Sequence, residues 1–298
     1  MNESLDHLAQ ECREEATLDS KARIRAALTE RWIGYPRAAF TLERLTNLLH
    51  YPPRDRMPCL LLYGATGMGK TKILRKFLRD HPPSFNAKTG INTVPIVAMQ
   101  MPPEPDEKGL YFQLLQALNA PTRYRHTTTQ LRQIVRDLLE FTKTRMIVID
   151  EVHSLLAGTY RQQRILLNTL RYLANELRVP LVCAGTLEAR RALLTDQQLA
   201  DRFEAIELPA WQNDANLTRL LASFQALLPL RKPSELTKAE VRHEILRRTE
   251  GVTVRIVRLV EFLAVEAIRS GTESIQLDDF STLDAEAPLL SMEAIASL

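Results

Sequence analysis

The octapeptide Gly64-Ala65-Thr66-Gly67-Met68-Gly69-Lys70-Thr71 follows directly on the apolar run CLLLY at residues 59–63. It fits G-x-x-x-x-G-K-[ST], a pattern that demands a strand, a tight loop and a helix in that order. Leu60, Leu61 and Leu62 are too continuously apolar to have a wet face and read as a buried parallel strand. Gly64, Gly67 and Gly69 let the backbone curl until its N–H groups point inward at β- and γ-phosphates. Lys70 reaches the same oxygens as a point charge, and the Thr71 hydroxyl is placed to ligate Mg²⁺. The next helix starts on the phosphates, with Ile73, Leu74, Phe77 and Leu78 as the face it lays on the sheet. ATP with Mg²⁺ is the ligand this arrangement implies.

The rest of the chain alternates in the same way. Leu42, Leu45 and Leu49 mark a short amphipathic helix that Pro52 and Pro53 end, while residues 81–93 read as a loop. Strands are expected in VPIVAM, MIVIDE, VPLVCAGT and FEAIELP, and the segments between them carry helical periodicity. Threonines 127–129 are the expected cap of the helix ending near Phe141. This order predicts a three-layer α/β/α domain around a mostly parallel sheet. From about Trp211 the strand signals stop and three helical segments suggest a small helical lid. The expected division is a helical extension over 1–35, a nucleotide-binding α/β domain over 36–210, a lid over 211–280 and an acidic tail over 281–298.

Charge and cysteines narrow the setting. The formal net charge of +3 hides a split: residues 1–20 carry −5 and residues 272–298 carry −6, which leaves +14 on the body between them. A basic body with acidic ends suits contact with a polyanion. Cys12, Cys59 and Cys183 have no metal-ligand spacing, and the last two lie in apolar runs, as buried reduced thiols do. No apolar run approaches the ~18 residues of a membrane span, and the N-terminus is acidic where a signal peptide is basic. These features predict a cytoplasmic protein with no membrane partner.

Asp150 and Glu151 end the apolar strand of RMIVIDEVH, Asp150 placed to hold Mg²⁺ and Glu151 to polarise an attacking water. A small-molecule kinase needs no such glutamate, so Glu151 favours hydrolysis. DEVH also matches the helicase spelling D-E-x-H. Only about 90 residues remain beyond the fifth strand, too few for the second domain such a helicase needs. His153 therefore reads as local packing or loop hydrogen bonding. Thr186 closes the fourth strand where a polar sensor would meet the γ-phosphate, and Arg202, just before the fifth strand, could enter a neighbour's site as an arginine finger. Arg255, at the start of a lid helix, could swing onto the phosphates. In this order the features resemble an AAA+ ATPase.

The segments RWIGYPRAAFTLERLTNLL, RMPCLLLYGATGMGKTKILRKFLRDHPP, IDEVHSLLAG, VCAGTLEA and DRFEAIELPAW resemble the TniB family, AAA+ regulators of transposition related to TnsC and MuB, from about residue 10 to residue 270. The resemblance implies ATP-dependent binding to double-stranded DNA and assembly into rings or helical filaments. It also implies marking of the target and recruitment of a DDE transposase, with a TniQ-type adaptor as a further partner. Carried over by position, Gly64 to Thr71 form the nucleotide loop, Asp150 and Glu151 the hydrolytic pair, and Thr186 the first sensor, where AAA+ proteins commonly carry Asn. Arg202 is the candidate finger, with Arg190 and Arg191 as competitors; Arg255 is the candidate second sensor, with Arg258 as rival. Tyr35 and Pro36 are candidates to cover the adenine. For DNA, Arg123, Tyr124 and Arg125 stand out in residues 121–145, where six bases face two acids. Such groups grip a phosphate backbone without reading sequence. An AAA+ helicase loader of replication would share every nucleotide motif.

Overall fold

Five consecutive apolar residues can all be buried only in a strand covered on both faces, and that condition sets the architecture. The computed structural model describes residues 5–88, 90–104, 106–121 and 125–281. The chain opens with helices α1 (Gln10–Ala16), α2 (Ser20–Leu28) and α3 (Pro36–Leu49), then strand β1 (Cys59–Tyr63) and helix α4 (Lys70–Asp80). Strands β2 (Ser84–Asn86), β3 (Ile91–Thr93) and β4 (Ile96–Gln100) lead to helices α5 (Glu107–Ala117) and α6 (Thr128–Phe141). Strand β5 (Met146–Asp150), a 3-10 turn (Val152–Ala157), helix α7 (Tyr160–Glu176) and strand β6 (Leu181–Gly185) come next. Helices α8 (Leu187–Leu194) and α9 (Gln197–Ala200) precede strand β7 (Phe203–Glu207), after which come only helices: α10 (Ala215–Leu227), α11 (Ala239–Thr249) and α12 (Thr253–Ser270), with a last 3-10 turn at Leu277–Phe280.

The main sheet runs β4-β5-β6-β1-β7, every pairing parallel. Alternate residues face opposite layers. Leu61, Val97, Ile147, Ile149, Leu181 and Cys183 pack with buried side chains of α5, α6, α7 and α8. Leu60, Leu62, Val148, Val182 and Ala184 point the other way and are buried as well. Helix α4, with buried Ile73, Leu74 and Phe77, lies against β6. The sheet is therefore the middle of three layers, as the alternating pattern predicts. Thr127 caps α6 through a reciprocal box with Gln130, and Thr159 caps α7 with Gln162 in the same way.

Two local expectations need correction. The stretch read as a loop between α4 and β4 holds the antiparallel hairpin β2–β3, in register Phe85↔Asn92, with Gly90 in the left-handed region (φ 67°) of its turn. Ser84, Phe85 and Asn86 are all exposed, Phe85 to 69%, so the strand buries no face and leaves no alternation to read. Helix α3 starts at Pro36, ahead of the Leu42–Leu49 pattern, because proline's fixed φ suits the first helical position.

The described residues divide into two compact units, Arg37–Pro209 and the segments on either side of it. In the second unit, Ile24 and Ala27 of α2 share a core with Leu217, Leu221, Val260 and Ala264. The weakly helical N-terminus, expected as a separate extension, belongs with the C-terminal helices. Its anchor is polar. Arg23, 1% exposed, donates to the Pro229 carbonyl at 3.1 Å and to Glu273 Oε1 at 2.9 Å, with a second bond to Glu273 Oε2. Residues 282–298, the bulk of the expected acidic tail, lie outside the described residues.

Burial works against ionisation of Glu273, but the hydrogen bonds and charge of Arg23 overcome it and hold the carboxyl below its ordinary 4.5. A depressed carboxyl stabilises the fold above its unfolded value and loses that contribution as pH falls through its folded value. Arg23→Ala leaves the partly buried Glu273 carboxylate with the Arg231 N–H in place of a bidentate guanidinium, and should cost the helical unit about 1–3 kcal/mol at pH 7. Denaturant unfolding should show the deficit shrinking below pH ~4.5.

Candidate nucleotide-binding site

The site forms where β1, β5 and β6 end. The Gly64 N–H donates to the Gly185 carbonyl at 3.2 Å, and the Leu208 N–H to the Tyr63 carbonyl at 2.7 Å. A Cβ on Gly64 would lie 2.4 Å from the Leu208 oxygen, so glycine is required for this approach. Gly67 (φ 81°) and Gly69 (φ 91°) occupy the left-handed region that bends the loop back before α4. Ala65 and Thr66 are exposed at its rim and Met68 is buried beneath it.

Lys70 opens α4 and turns back across the loop, its Nζ donating to the Gly64 and Ala65 carbonyls at 2.9 Å each. Burial lowers its pKa, and the Glu151 and Asp150 carboxylates partly offset the effect. Asp150, 6% exposed at the end of β5, accepts from the Thr71 hydroxyl at 2.6 Å and from the Glu151 N–H at 2.9 Å. Because β6 lies between β5 and β1, this bond spans the end of an intervening strand. That strand ends in Gly185, where a Cβ would stand 2.6 Å from Ala189 Cβ and 3.4 Å from the His153 nitrogen. Glu151 adopts a left-handed backbone (φ 56°), and its Oε2 is 3.2 Å from His153 Nε2. Thr186 succeeds β6 at the N-cap position of α8, and in the first turn of that helix the Glu188 carboxyl is held below the ordinary range, chiefly by the Thr186 hydroxyl.

These residues fit a magnesium nucleotide. The donors are hard oxygens, and Mg²⁺ characteristically takes one or two protein oxygens and completes its shell with phosphate and water. Accordingly, no group of three His, Cys, Asp or Glu able to hold a metal alone occurs among the described residues.

The other candidates are dispersed. Arg202 precedes β7 at the opposite edge of the sheet, its carbonyl accepting from the Cys59 N–H at 2.8 Å. Phe203 pairs with Cys59, so at ~3.3 Å per residue the start of β7 lies about 16 Å from Gly64. The Arg202 Nη1 is buried without a hydrogen-bond partner. Arg190 instead sits near the loop, 5.5 Å over the Tyr63 ring, whose hydroxyl donates to Glu207 at 3.1 Å. No spacing rule links Tyr63, Arg190 and Glu207, and sequence reasoning missed the contact. Arg191 is exposed. In the helical unit, Arg255 is exposed and paired with Glu250, Arg258 is exposed, and Tyr35 packs edge-on against Trp211 at 5.0 Å; Pro36 begins α3.

Among the candidates for DNA, Arg123 and Tyr124 lie outside the described residues, and Arg125 is exposed. Arg132, counted among the bases of that segment, turns inward to Glu107 at 2.7 Å and over the Tyr172 ring. Arg136, Lys143, Arg145 and Arg178 instead line a cleft of about 730 Å³ that also holds Glu140 and Glu176.

A parallel sheet in this strand order, with a glycine loop after β1 and an acidic end to the strand two places away, is the P-loop nucleoside triphosphatase fold in its AAA+ form. Solved structures share it. The ORC2 protein of Aeropyrum pernix in ADPNP–ADP complexes is 17% identical, with a TM-score of 0.61 over 92% of this chain and 74% of its own. The ORC1 protein of Aeropyrum pernix in complex with DNA is 17% identical (TM-score 0.60, 89% and 68% covered), and Cdc6p of Pyrobaculum aerophilum 18% (0.61, 85% and 68%). At these identities the likeness is one of fold. No curated protein sequence matches the chain. The family model described as bacterial TniB protein matches residues 23–213, and the chain belongs to the TniB family.

Removing the Lys70 charge from phosphates otherwise held by backbone N–H groups should weaken ATP about 10- to 100-fold. Titration of Lys70→Ala with a fluorescent ATP analogue measures this; wild-type affinity would remove the loop assignment.

Proposed function

We propose that this chain is an ATPase whose nucleotide state governs its assembly, as a ring or helical filament, on double-stranded DNA. There it marks a transposition target and recruits and stimulates a DDE transposase, with a TniQ-type adaptor. The observation that carries the hydrolytic reading is the Thr71–Asp150 bond across the end of β6, with Glu151 beside it and acting on Lys70. In that reading the loop N–H groups and Lys70 bind the β- and γ-phosphates, and Thr71 and Asp150 hold Mg²⁺, which supplies charge neutralisation when bound. Glu151 accepts a proton from the attacking water, and Thr186 orients the γ-phosphate or that water.

Membership of the TniB family favours transposition over helicase loading, and the basic body supports a DNA partner. The ORC1 protein of Aeropyrum pernix in complex with DNA and Drosophila ORC bound to DNA use the same fold. Arg125 and the cleft between α6 and α7 are the phosphate-contact candidates among the described residues. No helix among those residues is long and apolar enough to cross a membrane. Stimulation of strand transfer by a cognate transposase would separate this role from deposition of a helicase.

Glu151→Gln keeps the side chain's shape and loses the base. ATP should still bind, while turnover falls about 10²- to 10⁴-fold and DNA-bound assemblies persist. Phosphate release and electron microscopy with duplex DNA read both; hydrolysis at the wild-type rate would remove Glu151 from the chemistry.

Arg202 lies too far from its own loop to serve it, so the reading makes it a finger for a neighbour, turned outward from its present position. Arg202→Ala should lower turnover by ~10³ or more while ATP still binds. Mixed with Lys70→Ala, it should regain activity at interfaces that pair an intact loop with an intact Arg202. No recovery in co-assembled mixtures would place Arg202 outside the chemistry.

A further inference from the structure

His153 lies between the strand that ends in Asp150, just before Glu151, and the strand that ends before Thr186, and the nucleotide motifs give it no task. Its Nε2 stands 3.2 Å from Glu151 Oε2. That is the one partner the Glu151 carboxylate has among the described residues, although the side chain is 44% exposed. The His153 Nδ1 is buried and has no hydrogen-bond partner. A buried N–H without an acceptor is costly, whereas a bare lone pair costs less, so the ring proton belongs on Nε2, the nitrogen beside Glu151.

The backbone fixes this placement from both sides. Glu151 is held in the left-handed region, which non-glycine residues seldom adopt, and its carbonyl accepts from the Ser154 N–H at 2.9 Å to start the 3-10 turn. The turn carries His153 against the end of β6, its backbone nitrogen 3.4 Å from where a Cβ on Gly185 would stand. Glu151 in turn is near enough to Lys70 to favour its charged form, which puts the carboxylate by the phosphate loop.

We propose that His153 is a positioning residue that holds the Glu151 carboxylate beside the phosphate loop. The inference rests on the hydrolytic reading above. An exposed glutamate left without this contact samples several rotamers, few of which can meet a water in line with the γ-phosphate.

Substitutions at 153 test it by reach. The glutamine amide nitrogen stands where Nε2 does; the asparagine one stands where Nδ1 does. His153→Ala and His153→Asn should lower the turnover number for ATP about 10- to 100-fold, with ATP affinity changed by no more than about twofold. His153→Gln should restore most of the rate. In a Glu151→Gln background, His153→Ala should add little further loss, since both act on one step. Wild-type turnover in all three single variants would overturn the proposal, as would faster turnover in His153→Ala, which would make the contact a restraint. Equal defects in the Gln and Asn variants with loss of ATP affinity would reduce it to packing. A wild-type chain that releases no phosphate from ATP would remove the hydrolytic reading and this inference together.

Discussion

One hydrogen bond, from Thr71 to Asp150, depends on almost everything else in the sheet unit. It joins the first helix after β1 to the end of β5, two strands that do not touch. The intervening β6 must stop at a residue without a side chain, and β1 must turn at another. Gly185 and Gly64 meet those needs and bond to each other through the backbone. A pair of polar groups at 2.6 Å, one 6% exposed, is tolerable only because each has a partner and both face the place a cation would fill. The packing of five buried strands thus ends in a polar edge whose spacing is set by glycine.

How much of this was legible depends on where the information lies. Parallel strands covered on both faces advertise themselves as unbroken apolar runs, so all five strands of the main sheet could be read, together with the threonine-capped start of α6. The phosphate loop and its acidic partners are equally plain, because their chemistry permits few residue types. Features that depend on partners remote in sequence were not legible. Arg132 counts as a surface base until Glu107 and Tyr172 are seen to take it. Arg23 looks like one more charge on a weak helix, and its partner is 250 residues away. The β2–β3 hairpin hides because it buries nothing, and His153 because one histidine has no period.

The same sheet separates two kinds of arginine. Arg190, on the helix after β6, rests on the aromatic ring at the foot of the loop. Arg202, before β7, stands at the edge where the strands begin. In a parallel sheet the residues just after each strand gather at one edge and the residues just before each strand at the other. An arginine of the first kind stands on the side of the phosphate loop and one of the second kind on the side away from it.

The division of the chain has a consequence for how the protein is made. Every strand of the main sheet has been synthesised by Glu207, so the sheet unit can close while the C-terminal helices are still being added. The helical unit is split around it. Ile24 and Ala27 are made early, but the side chains that cover them come about 190 residues later and the carboxylate that neutralises Arg23 comes 250 residues later. Until then α2 is a short helix with an uncovered apolar face and an unmatched guanidinium. The nascent chain thus carries a finished sheet and an open seam that closes only when α12 and Glu273 have left the ribosome.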